Sequence, residues 1–253
     1  MMTLKAIFLK RLKHHKGNKM FIKINHENIF FSTGGKKFDK EKKYIIFLHG
    51  AAMDHTVWSQ QSRYFAHNGY SVISLDLRGH GKSEGNPFKN IIESANWIKE
   101  IINYLDIDDI TIVGHSLGAL ISLEVSKLCS NVISGLVMIG ISHPMLVSNE
   151  LLDSAKSNSI DALKFITKWG HSNTSHIGQN INPGIWLIGS AMKLLQSSKA
   201  GVLYADLYSI VKYNEGKNNF DNILCPTLVI CGTDDMMTPH KNTTVLLDNI
   251  KKA

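Results

Sequence analysis

Short, largely apolar runs alternate along this chain with stretches in which apolar residues return every three or four positions. Tyr44–Leu48 is unbroken, and 70–75, 110–113, 132–139 and 224–230 are of the same kind with brief interruptions. The first suits a strand buried on both faces of a parallel sheet, and the others read as further strands. Positions 57–67, 90–105, Leu117–Leu128 and 241–250 follow the helical pattern; in 90–105, Ile91, Ala95, Ile98, Ile102 and Leu105 share one face. Upstream, 21–33 predicts two short strands around a turn at His26, Glu27 and Asn28, and 34–43 a polar, lysine-rich loop. Strand–helix alternation of this kind predicts an α/β fold, a mostly parallel sheet flanked by helices. The alternation lapses at about 145–216, where the pattern is helical and Trp169, Trp186, Met192 and Tyr204 are spread through it. That stretch reads as a helical cap lying over the sheet edge. No internal repeat or low-complexity linker interrupts the chain.

Charge changes the picture less than its total suggests. The 253 residues carry a formal net charge of +7, but residues 1–20 hold six basic side chains, Lys5, Arg11 and Lys13 among them, and no acid. The remainder, 21–253, is close to neutral, which argues against nucleic-acid binding. The basic extension has three open readings: a segment ahead of a working start near Met20, a disordered tail, or a targeting or membrane-touching helix with Leu4, Ile7, Phe8 and Leu12 on one face. The run from Ala6 to Leu9 is too short for a secretory core, and nowhere is there a stretch of roughly 18 apolar residues that would span a membrane. Cys129, Cys225 and Cys231 are odd in number and lack metal-site spacing. They read as reduced core thiols in a cytoplasmic protein.

The strongest chemical signal is Gly114-His115-Ser116-Leu117-Gly118, a G-x-S-x-G pentapeptide between a strand and a helix. A turn that tight forces a strained backbone on the serine, and flanking glycines remove the clashing Cβ atoms. Ser116 is thereby presented at the carboxyl edge of the sheet, where open α/β sheets bind ligands. His49-Gly50-Ala51-Ala52 follows directly on the strand Tyr44–Leu48. A loop there can aim a backbone N–H at a developing oxyanion, with a second from the residue after the nucleophile. These donors are Ala51 and Leu117.

His49-Gly50, Trp58, the stretch from Asp76 to Ser83 (DLRGHGKS) and the serine pentapeptide stand in the order found in α/β-hydrolase-fold enzymes, which the chain resembles from about Phe21 onward. Gly232 to Pro239 (GTDDMMTP) looks like that family's acid loop. The family pattern puts the acid three residues after the glycine and four before the proline, which selects Asp235 over Asp234. Asp76, Arg78 and His80 are expected to tie loops together. The resemblance implies a serine hydrolase of the esterase type acting on a small carboxylic ester through an acyl-enzyme, with no metal or organic cofactor and a small-molecule partner. It leaves open an inactive homologue that binds without catalysis, and hydrolysis of lactones, thioesters or carbon–carbon bonds. Ser116 argues against the dehalogenases and epoxide hydrolases of the fold, which use aspartate there.

A serine nucleophile needs a base, and the family order is serine, acid, histidine. After Asp235 the sequence offers His240, one residue past Pro239. Adjacency to the acid loop does not put it over Ser116, and the resemblance expects the base one strand later, beyond Ala253. The last strand and histidine loop are therefore expected to be missing, through truncation or because the protein is an incomplete homologue. His143, His171 and His176 have no motif argument, and His49 and His115 read as motif residues held beside the site.

Overall fold

The computed structural model describes residues 13–14, 19–179, 184–214, 220, 222–248 and 250. Among them one eight-stranded sheet is formed by β1 (Lys13–His14), β2 (Lys19–Ile24), β3 (Glu27–Ser32), β4 (Tyr44–Leu48), β5 (Ser71–Leu75), β6 (Ile110–His115), β7 (Ile133–Ile139) and β8 (Thr227–Ile230). The strand order is β1-β2-β3-β5-β4-β6-β7-β8. The first three strands are antiparallel to their neighbours, and β5, β4, β6, β7 and β8 run parallel. The α/β architecture expected from the pattern is thus present. The basic extension falls mostly outside the described residues; Lys13 and His14 pair with Phe21 and Met20 of β2.

Alternation along β4 explains why both sheet faces are covered. Ile46 and Leu48 point into the large core beneath α2 (Ile91–Leu105) and α3 (Leu117–Leu128), while Ile45 and Phe47 pack with Trp58 and Ala66 on the other face, the latter from α1 (Ser59–His67). Asn90 caps α2 by accepting from Ile92 N–H, and the five apolar residues read from the sequence are buried together with Trp97 and Ile101. α3 is buried on nearly every side, wedged between α2 and the sheet.

Between β7 and β8 lie α4 (Asn149–Lys156), α5 (Ile160–Trp169), α6 (Asn173–His176), α7 (Leu187–Gln196) and α8 (Val202–Asn214), with no strand among the described residues there. Ser148 and Ser159 supply the N-caps of α4 and α5. The short α9 (His240–Leu247) follows β8. No helix among the described residues is long and apolar enough to cross a membrane.

Three expectations need correction. The first hairpin turns at Asn25 and His26, both at positive φ, not at 26–28; two left-handed residues match the twist of a tight hairpin. The strand expected over 224–230 begins at Thr227, because Pro226 has no N–H to give the ladder. Leu228 is 55% and Ile230 45% exposed on a strand with one described neighbour. Of the three thiols, all free, Cys129 and Cys225 are buried, but Cys231 is only partly so.

Candidate active site

Ser116 occupies the bend between β6 and α3 with φ 52° and ψ −117°. Positive φ is uncommon outside glycine and costs on the order of 1–3 kcal/mol. The surroundings hold it there. Ser116 N–H donates to Ile139 O at 2.9 Å, which fixes the bend to β7. A Cβ on Gly114 would overlap the Gly118 carbonyl, and one on Gly118 would overlap the Leu48 carbonyl. The first turn of α3 therefore lies backbone-to-backbone against β4 and β6. Leu117, first in the helix, has an N–H without a partner among the described residues, at the positive end of the helix dipole.

The loop after β4 is held by an unusual density of bonds. Gly50 O accepts from Met53 N–H at 3.2 Å and from His49 Nδ1–H at 2.9 Å. That carbonyl shares a peptide plane with Ala51 N–H, so anchoring the oxygen sets the direction of the N–H. His49 Nε2 accepts from Leu77 N–H at 3.1 Å, which requires the neutral ring. Complete burial, with the charge of nearby His80 adding to it, pushes the His49 pKa down to about 3. The next N–H, of Ala52, is taken by Asp206 Oδ2 at 2.8 Å. Ala51 N–H is left without a partner among the described residues.

Asp235 sits in the loop after β8. Its Oδ1 accepts from the N–H groups of Met237 and Thr238 at 2.9 and 2.8 Å, and its Oδ2 from Thr238 Oγ1 at 2.7 Å. Asp234 is exposed and bonded only to Thr233, at 3.5 Å. A cavity of about 120 Å³ brings Ala51, Ser116 and Asp235 together. Its wall is mainly apolar, with Met53, Met145, Ala191, Leu195 and Met237 among the lining residues. Trp169, Trp186 and Met192 are not among its lining residues.

Two imidazoles share the cavity. Burial lowers the His115 pKa, against the pull of Asp235. His171, just past α5, donates from Nδ1 to Thr167 O at 3.0 Å, which leaves Nε2 as the lone-pair nitrogen of the neutral ring. The other histidines lie apart: His143 packs on Tyr213 and Phe220, His176 binds Lys168 O, and His240 is exposed at the start of α9. Nothing in the sequence marked His171 as a member of the site, or Asp206, whose partners Ala52 and His80 are distant along the chain.

Asp76, Arg78 and His80 tie loops together as expected. Burial works against a charge on Asp76, but the His55 ring, with the Lys82 and His55 N–H groups, holds its pKa below the usual carboxylate range. Arg78 pairs with both oxygens of Glu27.

A family model described as the alpha/beta hydrolase fold matches residues 43–159. The chain has the α/β-hydrolase fold. Over 202 residues it is 27% identical to an (E)-2-((N-methylformamido)methylene)succinate hydrolase of Acinetobacter baylyi, covering 77% of this chain and 73% of that one. It is 26% identical over 212 residues to a non-heme chloroperoxidase, CPO-A1, of Kitasatospora aureofaciens, covering 77% and 75%. Its fold matches the crystal structure of a hydrolase from Pseudomonas aeruginosa with a TM-score of 0.78 at 16% identity, over 94% of this chain and 89% of the other.

Proposed function

We propose that this protein is a serine esterase that cleaves a small carboxylic ester with an apolar acyl group. One observation carries the reading: Ser116, on its strained bend, shares an apolar cavity with Asp235 and with the loop whose Ala51 N–H is free. In this reading Ser116 Oγ attacks the ester carbonyl while a base takes its proton. The oxyanion is held by the N–H groups of Ala51 and Leu117. Collapse of the tetrahedral adduct expels the alcohol, which recovers the proton, and leaves an acyl-enzyme for water to cleave. Asp235, held by three donors, orients and stabilises an imidazolium. The segment between β7 and β8 acts as the cap and supplies much of the acyl pocket through Met145, in the loop after β7, and Ala191 and Leu195 on α7. The three free cysteines fit a reducing cytoplasm.

A fluorophosphonate probe tests the reading directly. Wild-type protein should be labelled at Ser116, and Ser116→Ala should not react. Labelling that persists in Ser116→Ala, or wild-type protein that remains unlabelled, overturns it; the second result favours a binding protein that keeps the pocket without catalysis. With a labelled protein in hand, a panel of ester, lactone and thioester substrates separates the remaining chemistries.

A further inference from the structure

A second buried histidine–aspartate pair lies behind the oxyanion loop, away from Ser116. Asp206, on α8, is 2% exposed, and His80, in the loop after β5, is 3% exposed. His80 Nε2 lies 2.8 Å from Asp206 Oδ2, and its Nδ1 lies 3.1 Å from Arg78 O. Both nitrogens face acceptors, so both carry protons and the ring is an imidazolium. Burial opposes that charge, but the Asp206 carboxylate outweighs it and holds the His80 pKa above its ordinary value. The same Oδ2 accepts Ala52 N–H at 2.8 Å.

Ala52 is a non-glycine residue at φ 56°. Left to itself, the loop would gain by relaxing out of that conformation. The bond from Asp206 crosses 154 residues of sequence to hold the Ala52 amide in place. With the Gly50 carbonyl anchored by His49 and Met53, the peptide planes on both sides of Ala51 are fixed. His49 in turn packs against His80, ring centres 4.9 Å apart and planes inclined at 54°.

We propose that Asp206, charge-paired with His80, is a positioning residue that sets the direction of the Ala51 N–H and so couples docking of helix α8 to assembly of the oxyanion hole. It touches no substrate and acts through the loop. The proposal rests on the esterase reading, and its test keeps the two separable.

Steady-state hydrolysis of p-nitrophenyl butyrate, fluorophosphonate labelling rate and hydrogen exchange at the Ala52 amide are measured for the wild-type protein, Asp206→Ala and Asp206→Asn. Asp206→Ala removes the acceptor. It should lower kcat and labelling rate by about 10- to 100-fold, the scale of a misplaced oxyanion donor. KM should stay within about twofold, because the acyl pocket is untouched, and Ala52 exchange should accelerate. Asp206→Asn keeps an oxygen that can accept the Ala52 N–H, and should recover most of kcat and of the exchange protection. Should Asp206→Ala not fold, Asp206→Asn against His80→Leu, which removes the ring donor that aligns Asp206, gives the same contrast in kcat and Ala52 exchange.

The proposal is overturned if a folded Asp206→Ala keeps wild-type kcat, if KM rises as kcat falls, or if Ala52 exchange is unchanged. Wild-type protein that never labels at Ser116 would sink the esterase reading alone. The exchange measurement would still decide whether Asp206 holds the loop.

Discussion

Acid should loosen the loop after β4 through His49. In the folded protein this ring is neutral, donating to Gly50 O and accepting from Leu77 N–H. A proton on Nε2 would set one donor against another in a site that is 0% exposed. The ordinary histidine pKa is about 6.5, and burial carries His49 down to about 3. A depressed folded-state pKa means the unfolded chain binds the proton first. The contribution is complete above the unfolded pKa and is lost as pH falls from about 6.5 toward 3. Across that whole window linkage gives about 5 kcal/mol at about 1.4 kcal/mol per pH unit, and between pH 7 and 4.5 about 2.5 kcal/mol. Asp76, also held below its usual range, adds to acid loss, so a reference variant is needed. His49→Asn retains a donor for Gly50 O and cannot titrate. Urea unfolding at pH 7 and 4.5 should show His49→Asn less stable at pH 7 by about 1–2 kcal/mol, because Leu77 N–H loses its acceptor. Its further drop at pH 4.5 should be smaller than that of the wild type by about 2.5 kcal/mol. Two stability–pH curves that run parallel would refute the reasoning.

Three further outcomes follow from the site. Asp235→Asn should leave the fold intact, since the amide oxygen can still accept the loop N–H groups, while kcat for p-nitrophenyl butyrate falls by about 10³- to 10⁴-fold; a loss below tenfold would remove Asp235 from the mechanism. Gly118→Ala should cost about 2–3 kcal/mol in urea unfolding, because its methyl meets the Leu48 and His49 carbonyls rather than a yielding side chain; unchanged stability would contradict the close packing of α3. Ala191→Phe should fill the acyl end of the cavity and move the ratio of kcat/KM for acetate over hexanoate esters by about tenfold or more; an unchanged ratio would place the acyl chain elsewhere.

What could be read in advance divides along the range of the interactions. β4, β6, α2 and α3 were legible because each carries its own pattern, and the bend at Ser116 because its glycines and serine are neighbours in sequence. Asp235 was legible only through the spacing of its loop; its three donors confirm how the loop is tied, and Asp234 next to it differs in position, not in type. His171 and Asp206 left no local trace. Each owes its position to helices that fold back over the sheet, and Asp206 meets Ala52 only in three dimensions.

The φ of 52° at Ser116 has a consequence for anyone improving this protein. Glycine would adopt the same conformation at almost no cost, so Ser116→Gly should raise the melting temperature while deleting the hydroxyl. A selection that rewards heat resistance alone would drift toward that inert sequence, and would report success while doing so. Turnover has to be scored in every round, since the residue proposed as the nucleophile is the one the backbone would most readily give up.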